Sequence, residues 1–97
     1  MSANLKHLGK VQKHIIKLMF EDDYYIHYSF DTRDLSISII LEDTWGNIDR
    51  DISDSMLNNL LDRNILIKED DLKCLEVVQA KYVLNESIVE ELLTFLK

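Results

Sequence analysis

The chain has 97 residues, with 11 Lys and Arg against 18 Asp and Glu, for a formal charge of −7. It contains no proline, two glycines and one cysteine. The length leaves no room for a second domain core, the single cysteine excludes an internal disulfide, the longest apolar stretch, Ile39-Ile40-Leu41, is far short of a membrane span, and an overall field of this sign repels polyanionic nucleic acid.

Leu, Ile, Val and Phe together number 34 of the 97 residues, far above the roughly 20% below which disorder is expected. One domain over residues 1–97 is therefore expected. The N-terminus carries no apolar run of signal-peptide length, so the expected location is cytoplasmic. Charge is unevenly spread. Residues 1–20 carry +4, residues 21–55 carry −8 and residues 56–97 carry −3.

Residues 4–20 read as an amphipathic helix. Leu5, Leu8, Val11, Ile15, Leu18 and Met19 recur at spacings of three and four, the period of one helical face. Lys6, Lys10, Lys13 and Lys17 form a basic stripe opposite it. Residues 24–30 switch to period two. Tyr24, Ile26, Tyr28 and Phe30 point one way, and Tyr25, His27 and Ser29 the other. Asp31-Thr32-Arg33-Asp34 is a polar turn, and Leu35, Ile37, Ile39 and Leu41 continue on a second strand. The spacing predicts a hairpin.

A second turn is expected at Asp43-Thr44-Trp45-Gly46-Asn47, followed by a short strand over Ile48 to Asp51. Ser53 is placed to cap a helix running to Arg63, because its hydroxyl accepts from an otherwise unpaired helix N–H. Met56, Leu57, Leu60 and Leu61 form that helix's apolar stripe, and Asn64 is a suitable stop. Ile65-Leu66-Ile67 reads as a short strand and Glu69-Asp70-Asp71 as a solvated tip. Residues 72–84 lean to strand, with a helix over 71–79 as the alternative. Asn85 or Ser87 caps a last helix bearing Ile88, Leu92, Phe95 and Leu96.

From Ile52-Ser53 through Leu60-Leu61-Asp62-Arg63-Asn64-Ile65-Leu66-Ile67, and again at Lys81-Tyr82-Val83-Leu84-Asn85-Glu86, the chain resembles the winged-helix superfamily. The match is partial, over residues 52–97. The trimmed layout is similar to small proteins of phages and mobile elements. The resemblance implies an α+β, winged-helix-like single domain in the order helix, hairpin, helix, hairpin, helix, with residues 53–63 as recognition helix and Lys68-Glu69-Asp70-Asp71 as wing tip. It would place Ser55, Asn58, Asn59 and Arg63 at base edges, with Asn58 and Asn59 suited to adenine. Asp54, Asp62 and the acidic wing tip would be repelled by phosphate.

Asp31, Asp34, Glu42, Asp43, Asp49, Asp51 and Asp54 fall on hairpin ends, turns and a helix start, and Trp45 lies among them. Such a set either imitates the charge density of a nucleic-acid backbone or keeps a small domain dissolved. Exposed aromatics beside acids mark a protein interface. The expected function is thus a non-catalytic acidic interaction module. A phage or mobile-element inhibitor of a nucleic-acid-binding host protein, of anti-CRISPR or other anti-defence type, is its sharpest form. One alternative is a small DNA-binding transcriptional regulator, with Lys6, Lys10, Lys13 and Lys17 on phosphates. Another is a dimerising structural subunit. No enzyme activity, metal or cofactor is expected, and the chain is read as a monomer or homodimer.

Overall fold

The structure, a computed structural model, describes residues 7–95. Leu5, Lys6 and Leu96 lie outside the described residues. Helix α1 spans Lys10–Glu21, three strands follow as β1 (Tyr25–Asp31), β2 (Ser36–Glu42) and β3 (Ile48–Asp51), and helix α2 spans Asp54–Asp62. Strands β4 (Leu66–Cys74) and β5 (Val77–Leu84) come next, then a 3-10 turn over Glu86–Ile88 and helix α3 (Val89–Phe95).

Helix ends follow local chemistry. His7 has a left-handed backbone, φ 60°, so α1 starts later than its apolar rhythm implies. Gly9 is its N-cap, and the Gly9 N–H donates to Gln12 Oε1 at 2.9 Å. Ser53 caps α2 as expected, accepting from the Met56 N–H at 3.1 Å. The other end of α2 closes through Asn64, at φ 60°. There the Asn64 N–H donates to Leu61 O and the Ile65 N–H to Leu60 O, at 3.0 and 3.1 Å. This crossed pair satisfies carbonyls that the helix leaves open. Asn85, rather than Ser87, supplies the carbonyl at the C-terminal turn, accepting from the Ser87 N–H at 3.1 Å.

The five strands form one antiparallel sheet in the order β3-β2-β1-β5-β4. This corrects the winged-helix-like arrangement. β1 pairs with β2 on one side and with β5 on the other, so both hairpins and β3 merge into a single sheet. The physical reason is the apolar alternation in β1. Ile26 stands opposite Leu41 of β2 and Tyr82 of β5, and it is fully buried. A strand with an apolar neighbour on each side lies inside a sheet rather than at the base of a wing.

The wing tip also moves. Glu69, Asp70 and Asp71 lie within β4, where a bulge interrupts the pairing between Lys68 and Asp70. The reversal is at Leu75-Glu76, and the helical alternative for residues 71–79 is replaced by strand. An acidic run reads as a turn when taken alone. Here Glu69, Asp70 and Asp71 are all exposed on a strand at the sheet edge, so carboxylates are tolerated on both its sides.

Residues paired across strands share a face. Ile26, Ile39, Leu41 and Leu66 face the helix layer, where they meet Ile15, Ile16 and Met19 of α1, Leu57 and Leu60 of α2, and Ile88 and Leu92. The opposite face carries Tyr25, His27, Ile40, Glu42, Gln79 and Lys81. The helix layer does not reach the hairpin tips, where Ile37 is 55% exposed. The tips are joined to each other instead. The Thr32 N–H and hydroxyl both donate to Glu76 O at 2.8 Å, and Arg33 Nε lies 3.1 Å from Glu76 Oε2.

Truncating a fully buried side chain leaves a cavity. Leu41→Ala is expected to lower stability by about 2–5 kcal/mol. Ile37→Ala, two pleats along the same strand face, should cost under about 1 kcal/mol. Urea unfolding of the two variants checks the boundary of the core.

Candidate functional site

The β2–β3 turn is built by one carboxylate. Asp43 accepts from the Trp45 N–H and the Asn47 N–H at 2.9 Å each, and from the Asn47 amide at 3.0 Å. Gly46 supplies the left-handed residue the turn requires, φ 85°. The Asn47 contacts hold the Asp43 carboxyl below the usual carboxylate range, against burial. The turn so fixed presents Trp45 almost entirely to solvent, at 87% exposure, with Ile48 also exposed beside it.

Several acids share this end of the molecule. Burial, then the charges of Asp43, Asp49 and Asp22, raise the Tyr24 phenol. The C-terminus of α1, the β2–β3 turn and β3 therefore converge around it. Asp49 is held by Arg50 Nε at 2.9 Å and lies 3.4 Å from His14 Nε2 of α1. The Arg50 contact leads in lowering the Asp49 carboxyl, burial opposes it and His14 adds to it. Asp51 stands opposite Ile40 in register, and Asp54 opens α2, accepting from the Asn58 amide at 3.3 Å.

The remaining sequence-predicted acids are elsewhere. Asp31 and Asp34 belong to the β1–β2 tip. At roughly 3.4 Å per residue, β2 separates them from Glu42 by about 20 Å. The eight residues therefore form two groups, not one continuous surface. Glu42, Asp43, Trp45, Asp49 and Asp51 come together near the β2–β3 hairpin, with Asp54 just beyond.

Glu42 points to the open sheet face, where it builds a cluster that sequence reasoning missed. The Tyr25 phenol donates to Glu42 Oε1 at 2.9 Å, and His27 Nδ1 lies 3.5 Å from the same oxygen. Lys81 Nζ sits 4.6 Å from the Tyr25 ring centre and 3.5 Å from Glu69 Oε1. Tyr25, His27, Glu42 and Lys81, with Asp70 and Gln79, line a shallow depression of about 190 Å³. Burial, then Glu42, raises the Tyr25 phenol. Period two placed Tyr25 and His27 on one face, but only the β1–β2 and β1–β5 registers bring Glu42 and Lys81 beside them.

The candidate nucleic-acid residues lie on the helix layer. Lys10, Lys13 and Lys17 are exposed on α1, and Lys6 lies outside the described residues. On α2, the exposed polar groups bond within the protein. The Gln12 amide donates to Asn59 Oδ1 at 2.6 Å, the Asn58 amide donates to Asp54, and the Ser55 hydroxyl is 3.3 Å from that of Ser53. Arg63 closes the helix as its C-cap.

At the opposite tip Arg33 grips Asp31 through Nε at 3.0 Å and Nη2 at 2.7 Å, and its N–H donates to the same carboxylate at 3.0 Å. These bonds lower the Asp31 carboxyl from 3.8 to about 2. A carboxyl lowered on folding adds stability that is full above its unfolded value and lost as pH falls through the folded one. Asp31→Asn is thus expected to flatten the fall in urea midpoint between pH 3.8 and about 2. High salt should shrink the difference, because the pair faces water.

Among the described residues no helix is long and apolar enough to cross a membrane. Comparison of the chain with protein-family models, curated proteins and solved structures returned no match.

Proposed function

We propose that the chain is a protein-binding module with no chemistry of its own, docking a basic surface against the acidic end of the sheet with Trp45 as anchor. The observation that carries this reading is the 87% exposure of Trp45 on a turn that Asp43 holds rigid. A large aromatic side chain left in water on an ordered turn gains its burial energy on association, and the ordered turn limits the entropy lost. Asp22, Glu42, Asp43, Asp49 and Asp51 supply a rim of one sign, which steers and orients a partner of the other.

The partner class that fits best is a protein whose basic surface normally meets phosphates. An inhibitor of such a nucleic-acid-binding protein, of the kind phages and mobile elements carry against host defences, is the sharpest form of the reading. The helix-layer alternative is weaker. The side-chain amides of Asn58 and Asn59 already bond within the fold, and Asp54 and Asp62 flank them.

Immobilised wild-type chain is expected to retain a basic nucleic-acid-binding protein from host lysate. With that protein purified, Trp45→Ala should weaken binding at least about tenfold while changing stability by under about 0.5 kcal/mol. Asp49→Lys with Asp51→Lys should abolish retention. Equal affinity across these forms would sink the proposal. So would a low-salt gel shift of duplex DNA that disappears when Lys10, Lys13 and Lys17 are changed to Glu.

A further inference from the structure

The two edges of the sheet are guarded very differently. At one edge β4 carries Lys68, Glu69, Asp70, Asp71 and Lys73, with a bulge between Lys68 and Asp70. Charges and bulges are the usual means of keeping foreign strands off an edge. At the other edge β3 covers only part of β2. It pairs with Ile40, Leu41 and Glu42, and the Ile52 N–H then donates to Ile39 O at 2.8 Å. Beyond that bond the chain turns into α2 at Asp54. Among the described residues no strand pairs with Ser36–Ser38 on that side.

The backbone geometry of this gap is defined. Alternate residues of a strand direct both N–H and C=O to the same edge. Ile39 O faces the β3 side, so the N–H and C=O of Ile37 face the same way. Ser36, Ile37 and Ser38 are all exposed. No charge and no proline lies between Leu35 and Leu41. This is an open, uncharged strand edge about three residues long, with the β-branched Ile37 at its centre.

Charge at its ends selects the occupant. The β1–β2 tip has three acids, Asp31, Asp34 and Glu76, around one base, Arg33. The β3–α2 end has Asp51 on β3 and Asp54 at the start of α2, with Asp49 paired to Arg50 just before them. A strand laid in the gap would thus run between two sites of surplus negative charge. A second copy of this chain fits poorly. Antiparallel pairing of two β2 strands about Ile37 would bring Asp34 of one copy towards Asp51 of the other, because Asp51 stands beside Ile40, the residue opposite Asp34 in that register.

We propose that the Ser36–Ser38 edge of β2 accepts an extended segment of a partner protein as an added strand, apolar or β-branched at its centre and basic at both ends. Main-chain hydrogen bonds to Ile37 supply the attachment, and the flanking acids supply register and selectivity. The inference rests on the reading that the chain binds a protein, and adds a contact mode distinct from the Trp45 anchor.

The probe is a capped heptapeptide of alternating Thr and Val between two terminal lysines, added to the whole chain. The readout is hydrogen exchange of the Ile37 amide by NMR. The peptide should slow that amide at least tenfold, and Ile37→Pro, which removes the outward donor, should weaken peptide binding at least tenfold. A peptide methylated on each internal nitrogen keeps the charge and loses the strand bonds, so it should give no protection. Trp45→Ala should leave the protection unchanged, which lets either proposal fail alone. Three results overturn the inference. The first is no protection at about 1 mM peptide. The second is equal effects of the methylated and parent peptides. The third is an Ile37 amide already protected in free protein that sediments as a dimer, which would put a second copy in the gap.

Discussion

The pairing of β1 with β5 is the interaction on which the rest of the molecule depends. A two-stranded hairpin such as β4–β5 is marginal in water, and α2 separates it from the β1–β2–β3 meander. Joining β1 to β5 places Ile26 between Leu41 and Tyr82 and turns the meander and the hairpin into one apolar floor. The helices then have a surface on which to bury Ile15, Ile16, Leu57, Leu60 and Leu92. The joint tips repeat the same link at the far end, where Thr32 and Arg33 hold Glu76.

Because the helices cover one face and stop short of the tips, the sheet keeps three kinds of unfilled surface. The open face is polar and internally satisfied, with Tyr25, His27 and Glu42 bonded together. The β2–β3 turn is acidic and carries an exposed Trp45. The β2 edge is neutral between acidic ends. The net charge of −7 therefore does not act as a uniform field. Arg33 and Arg50 each neutralise part of a local group, and acids in excess of bases remain at both ends of β2.

Local chemistry made much of this legible. The Ser53 cap, the Asn64 stop, the Asp43–Asn47 turn and the Ile48–Asp51 strand all follow from side-chain bonding and backbone preference within a few residues. Alternation in residues 24–30 correctly divided the buried face from the open one. The α1 start was misplaced because apolar rhythm extends through Leu8, while the left-handed backbone at His7 and the cap at Gly9 stop the helix. The acidic run at Glu69–Asp71 lies in a strand and not at a tip because its place depends on β5 beside it.

The sequence by itself determined the elements, most of their ends, the apolar faces and the uneven charge, since each depends on neighbours a few positions away. Only the tertiary structure decided that β1 lies between β2 and β5, that the acids divide into two groups along β2, and that, among the described residues, no strand pairs with Ser36–Ser38 on the side away from β1. Strand pairing and register join residues far apart in the chain. The local patterns of β1 and β5 suit pairing as separate hairpins as well as side by side, and burial of Ile26 between two strands selects the second.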